Sequence, residues 1–248
     1  YTIMIRIVLH VAKVVIAVVT AVLFSSCGFE GKLRRVDGNG KVTTQQRTVN
    51  GSFDAVSAGS GLEVIIEQGQ PAGITVEADD NLQEHIKTEL EGNELHISSD
   101  VNLGSASAKK VTVRLPEIVS LESSSGCSLK STGTIKTDKI TLSSSSGSSM
   151  AVGIDANKAN CSTSSGSSME LLGRAGELVT DSSSGSSLDA AKVSAENVSG
   201  EASSGSTSIV NPKKALDARA SSGGSVRYVA TPEKLNKKTS SGGSVSQN

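Results

Sequence analysis

Asp181 and Glu201 are the carboxylates best placed to do chemistry, because they stand one repeat apart in a chain that returns to Ser-Ser-Gly about every nineteen residues. In a winding chain that spacing lays one above the other at about 5 Å, the separation used in retaining glycoside hydrolysis. Arg219 follows one repeat later, so the simpler account is a solvated charge ladder in which Glu201 pairs with Arg219. The other titratable groups offer less. His10 lies in an apolar leader, while His85 and His96 are isolated, with no Cys or His neighbour at ligand spacing. Asp79-Asp80-Asn81 has the composition of a calcium loop without the remaining ligand spacing, and a turn or helix cap is expected there. Abundant serine without a paired base makes no nucleophile, and there is no phosphate-cradling loop. The sequence therefore assigns no catalytic residue, no metal ligand and no cofactor site.

Composition narrows the classes further. The 248 residues carry 24 basic and 25 acidic side chains, a formal charge of −1, so no nucleic-acid partner is expected. Hydrophobic residues make up 36% and glycines number 25, which rules out an ordinary core of large side chains. Tyr1, Phe24, Phe29, Phe53 and Tyr228 are the only aromatics, too few for a base-stacking platform or an aromatic sugar cleft.

The leader carries a different kind of chemistry. Arg6, His10 and Lys13 precede an apolar run from Val14 to Phe24 that only Thr20 interrupts, too short to span a bilayer and right for a secretory signal over residues 1–26. Ser25-Ser26-Cys27 resembles the lipobox of bacterial lipoproteins, although Phe24 stands where that box prefers Leu. Cys27 is the expected lipidation site, and the membrane a partner through that N-terminal anchor. The expected location is the cell envelope, as an outer membrane lipoprotein facing either the periplasm or the exterior. Residues 28–48, with Gly28, Gly31, Gly38 and Gly40 and no hydrophobic period, read as a flexible tether.

The element that must position everything else is the repeat. Its glycine falls at Gly126, Gly147, Gly166, Gly185, Gly205, Gly223 and Gly242, with gaps of 21, 19, 19, 20, 18 and 19 residues. A fixed period of this size signals a solenoid, and so much Ser and Gly excludes helical repeats. Aligned on the glycine, the column seven residues before it reads Val119, Ile140, Ala159, Leu178, Val198, Leu216 and Leu235. The column five before reads Leu121, Leu142, Cys161, Thr180, Gly200, Ala218 and Lys237. These two are expected to face inward, and the polar columns six and four before to face outward. Three after the glycine, Leu129, Met150, Met169, Leu188, Val226 and Val245 are apolar, with Ile209 displaced by one. Period 2 inside period 19 predicts an all-β parallel β-helix of about seven coils, roughly 34 Å long. The stacked serines are expected to hydrogen-bond along the rod as scaffold, and the glycine to turn a corner at positive φ or under close backbone approach.

Cys127 and Cys161 then lie two coils and several positions apart, too far for a disulfide, and are expected as free, buried small hydrophobes. Lys237 and Lys238 place charge in the last coil, where they are expected to blunt further stacking. Residues 50–115 lack the Ser-Ser-Gly unit but carry strand signals at Leu62–Glu67, Ile74–Ala78, Glu94–Ser98 and Val111–Leu115, and are expected to continue irregularly into the first coil.

Phe53-Asp54-Ala55-Val56, Gly61 to Gly69, Glu77 to Leu82, Gly92 to Ile97 and Val111 to Pro116, followed by serine-rich coils, resemble the putative auto-transporter adhesin head GIN domain family over about residues 49–248. The resemblance implies a right-handed β-helical domain on an exported Gram-negative lipoprotein. Taken with the solvated charge ladder and the lack of an aromatic subsite, the expected function is a lipid-anchored, adhesin-like binding or interaction scaffold without catalysis, with an envelope or host polysaccharide or protein as the expected ligand. Two alternatives remain: a polysaccharide lyase or hydrolase built on Asp181 and Glu201, and a self-associating structural spacer that forms homo-oligomers.

Overall fold

The computed structural model describes residues 34–248. The signal over residues 1–26 and the lipidation site Cys27 lie outside the described residues. From Ser120 onward the chain winds as a β-solenoid. Strand β10 (Ser120–Ser123) opens the first coil, and β11 (Ser128–Ser144), β12 (Ser149–Thr163), β13 (Ser168–Ser182) and β14 (Ser187–Ala202) each sweep nearly a whole circuit. The next coils are broken into β15 (Thr207–Val210), β16 (Pro212–Ala220), β17 (Ser225–Tyr228), β18 (Lys234–Thr239) and β19 (Ser244–Gln247). Every pairing between coils is parallel and lays like on like: Leu121 beside Leu142, Leu142 beside Cys161, Met150 beside Met169, Met169 beside Leu188. All seven repeat glycines occupy the same corner, as their spacing predicts.

Two walls meet at that corner. The first wall consists of β10, the ends of β11 to β14, β16 and β18, and the second of the starts of β11 to β14, then β15, β17 and β19. Between them the core is filled by Ile140, Leu142, Leu178, Leu188, Leu216 and, short of the last coil, their stacked equivalents, all nearly inaccessible. Three details differ from the column alignment. Val119 is exposed and Ile118 fills its place in the core; the last coil has nothing stacked beyond it, so Leu235 and Lys237 are exposed. In the fifth repeat the strand does not shift. Ser208 itself takes the inward slot and bonds Thr180 Oγ1 at 3.1 Å, leaving Ile209 half-buried.

The N-terminal part is built from β1 (Arg35–Val36), β2 (Val42–Arg47), β3 (Ala55–Ala58), β4 (Glu63–Gln68), β5 (Gly73–Asp79), β6 (Ile86–Glu91), β7 (Glu94–Ser99), β8 (Asn102–Leu103) and β9 (Lys109–Leu115). The four predicted strands are present, but they do not lead into the first coil in chain order. β3 and β4 stack directly on β10 and β11, while the later β7 and β9 lie outside them. The chain therefore lays down its penultimate layer first, then its outer layer, then steps back over to begin coil one. Antiparallel β6 covers β7, and antiparallel β5 with β2 covers β9. The tether expected over residues 28–48 is corrected in its described part: β2 is a six-residue strand against β5, and β1 pairs with β8.

Candidate functional site

The corner that organises the surface is a two-residue turn. Its serine, Ser125, Ser146, Ser165, Ser184, Ser204, Ser222 and Ser241, has φ between 47° and 52°, and the following glycine has φ between 70° and 76°. Positive φ at both central residues is the geometry of a type I′ turn. A Cβ on any of these seven glycines would meet nothing within 4 Å, so dihedral freedom rather than space selects glycine. Each turn but the last is tied to the next coil by the glycine amide, as in Gly147 N to Ser165 O at 3.0 Å. Ser60 and Gly61, with φ of 58° and 67°, make an eighth turn of the same kind. It falls outside the Ser-Ser-Gly pattern because Gly59 stands where the other units have serine.

The corner divides the hydroxyls into two populations with opposite duties. One after the glycine, Ser148, Ser167, Ser186 and Ser206 are buried and donate back to backbone carbonyls of the preceding coil: Ser167 Oγ reaches Ser144 O at 2.6 Å and Ser206 Oγ reaches Ser182 O at 2.7 Å. Ser123, Ser144, Thr163 and Ser182 complete this internal ladder, with Ser123 Oγ to Ser144 Oγ at 3.1 Å. Leaving one such buried acceptor unpaired costs about 1–3 kcal/mol. Where the ladder ends, Gly224 replaces serine, since a Cβ there would lie 2.4 Å from Ala202 O.

Two after the glycine the serines point out. Ser128, Ser149, Ser168 and Ser187 are in register on the second wall, Ser128 half-buried and the other three exposed, and their hydroxyls bond no protein group among the described residues. They line a groove of about 330 Å³ that also takes in Lys130, Glu170 and Asp189. A second hollow of about 450 Å³ shares Ser128 and Lys130 and continues past Gly61, Glu63 and Ser107. The rim charges are held: Lys192 Nζ donates to Glu170 Oε1 at 2.8 Å, and that hydrogen bond raises the lysine pKa above its ordinary 10.5.

The predicted carboxylates sit elsewhere. Asp181 and Glu201 are register neighbours on the first wall, as their spacing requires, and both are open to solvent. The Glu201–Arg219 pair does not form. Although Arg219 is Glu201's register neighbour, its Nη2 bends along its own strand to Asp217 Oδ2 at 3.2 Å. Real cross-coil pairs occur at Lys158–Glu177, 2.9 Å, and Arg174–Asp155, 2.6 Å, where the arginine bond holds the Asp155 carboxyl below its ordinary value.

The remaining expectations resolve into structure. Cys127 and Cys161 are free and buried, and burial pushes both thiols from 9.0 up to about 12. His85 is not isolated: its Nδ1 lies 2.8 Å from Asp100 Oδ1, beside Lys87. His96 contacts Glu94 at 3.3 Å. Among the described residues no group of three or more His, Cys, Asp or Glu could hold a metal ion. Asp79 does not cap the short 3-10 turn Asp80–Leu82 that follows it. It is fully inaccessible and accepts from the Gly40, Ser107 and Ala108 amides at 2.8, 3.0 and 3.0 Å. Sequence spacing holds no signal for this clasp, since its donors come from two distant loops.

Residues 52–232 match the family described as putative auto-transporter adhesin, head GIN domain. The chain belongs to that family. No curated protein matches it. Solved structures similar to it include a putative adhesin from Bacteroides fragilis (TM-score 0.79, 16% identity, 86% of this chain and 100% of that one). A putative adhesin from Parabacteroides merdae has a TM-score of 0.70 at 18% identity, covering 87% and 99%. A putative lipid binding protein from Parabacteroides distasonis has a TM-score of 0.68 at 18% identity, covering 87% and 100%. At these identities the likeness establishes a shared fold.

Proposed function

We propose that this chain is a non-catalytic interaction head of the cell envelope, anchored through a lipid on Cys27, that holds an extended polysaccharide along the groove of its second wall. One observation carries the reading. Ser128, Ser149, Ser168 and Ser187 form an in-register row of hydroxyls, exposed from Ser149 onward and unbonded among the described residues, about 4.8 Å apart, a spacing on the scale of one sugar ring. Each hydroxyl both donates and accepts, so a polymer rich in hydroxyls can be matched at every coil without aromatic stacking. Adhesin-family membership supports the interaction role.

Catalysis by Asp181 and Glu201 is disfavoured by their setting. A general acid is normally made by burying one carboxyl in an apolar pocket, and both of these are exposed on the other wall. The test is to pass the full chain over immobilised dextran, alginate and peptidoglycan and to assay the flow-through for released sugar. Saturable retention on at least one polymer without release is the expected result. Retention on none of them, or release that Asp181→Ala with Glu201→Ala abolishes, would overturn the proposal.

A further inference from the structure

The first wall begins and ends in strands of opposite charge. Counted across the register, it runs β6, β7, β3, β10, the ends of β11 to β14, β16 and β18. Among the described residues β6 pairs only with β7, and β18 only with β16. Each therefore presents a free backbone edge. β6 reads Ile-Lys-Thr-Glu-Leu-Glu with Glu89 and Glu91 exposed, and β18 reads Lys-Leu-Asn-Lys-Lys-Thr, exposed along its whole length. The contrast extends beyond the edges. Residues 35–119 hold seven basic and thirteen acidic side chains, and residues 202–248 hold seven basic and two acidic.

We infer that the chain associates with further copies of itself head to tail, β18 of one copy pairing with β6 of the next. Direction favours it. β18 runs parallel to the coils and β6 antiparallel to them, so copies set in line along the rod axis meet as an antiparallel pair. Side-chain faces agree too. Leu90 is registered with buried Leu95 and Leu235 with buried Leu216, so both point to the core side, while Lys87, Glu89, Glu91, Lys234 and Lys238 share the outer side, where Asp100 neutralises Lys87 at 3.0 Å and leaves the two glutamates to meet the lysines.

Charge selects this pairing over its competitors. Two β18 edges brought together would oppose Lys234, Lys237 and Lys238 with their own copies, and two β6 edges would oppose Glu89 and Glu91 with theirs. Lys234 and Lys238 form no ion pair among the described residues, and Lys237 is engaged with the Tyr228 ring and hydroxyl. The second wall's edges, β2 and β19, carry Arg47 as their one charged side chain and do not oppose the contact. A heterologous contact of this kind does not close on itself, so assembly is linear and concentration-dependent. It would extend the serine row from copy to copy, although it stands without the polysaccharide reading.

Two measurements on the full chain test it. In a Cys27→Ser background, Leu90→Cys and Leu235→Cys are made in separate chains. Mixing them under mild oxidation is expected to give a disulfide dimer of one chain of each kind, and neither alone to cross-link comparably, since Cys127 and Cys161 are buried. By sedimentation, the wild-type coefficient should rise with concentration and fall with added salt. Lys234→Glu with Lys238→Glu should abolish the rise, and adding Glu89→Lys with Glu91→Lys in the same chain should restore it. Predominant Leu235→Cys self-cross-linking, a monomer at every concentration, or association indifferent to these charge reversals would overturn the inference.

Discussion

Serine at φ near 50° sits where a Cβ crowds the backbone, and the chain accepts this eight times beside eight glycines at φ near 70°. The exposed corner thus stores a modest strain, and its glycines differ in kind from those elsewhere. Gly166→Ala should cost about 1–2 kcal/mol by urea unfolding although the space is open, because the dihedral is wrong for alanine. Gly224→Ser should cost more, its Cβ colliding with Ala202 O at 2.4 Å. A neutral Gly166→Ala would refute the dihedral account. The thiols set an alkaline limit. Burial raises both from 9.0 to about 12, so the stability they contribute is complete below pH 9.0 and is lost as the pH climbs toward 12. Thermal unfolding of Cys127→Ala with Cys161→Ala should show a flatter decline between those values than the wild type, and an equal decline would contradict it.

Among the elements, β2 is held little by burial and is fastened at its start by one side chain. Asp79 fastens the loop before β2 to the loop before β9, and the Gly40 amide is the main reason its carboxyl lies below 3.8. Its contribution is present above pH 3.8 and is lost as the pH falls through its folded value. Asp79→Asn should speed amide exchange at residues 35–47 selectively, leaving β12 and β13 protected; uniform exchange would mean that Asp79 supports the whole domain instead. The coils around β12 and β13 were legible in the sequence because each repeats one turn and one column pattern, so Gly147 and Gly166 announce their neighbours. The N-terminal layers were not. β7 and β9 stack outside β3 and β4 in an order the chain does not follow, and β2 finds β5 across more than thirty residues by backbone pairing that leaves little trace in its polar sequence. The groove was half legible. Stacked serines are visible in the sequence, but nothing in it separates Ser148, whose hydroxyl bonds Ser123 O, from Ser149, whose hydroxyl bonds no group among the described residues, since they are adjacent and chemically identical.

At the scale of the molecule, stability is close to a sum of coils and the contacts between neighbouring coils, so surface columns are free to carry function. The groove row and the outward column of the first wall are equally polar and equally periodic; the former lies in a concavity across four coils, whereas the latter meets a hollow of about 270 Å³ at Glu201, Arg219 and Lys238, which Ser143 and Ser162 do not line. The decisive comparison is equilibrium binding of the full chain to whichever polysaccharide retains it, measured for Ser149→Arg with Ser168→Arg and for Ser143→Arg with Ser162→Arg. The groove pair should weaken binding at least tenfold, about 1.4 kcal/mol, and the first-wall pair should leave it unchanged. Equal loss from both pairs, or none from the groove pair, would contradict the assignment of the second wall as the binding face.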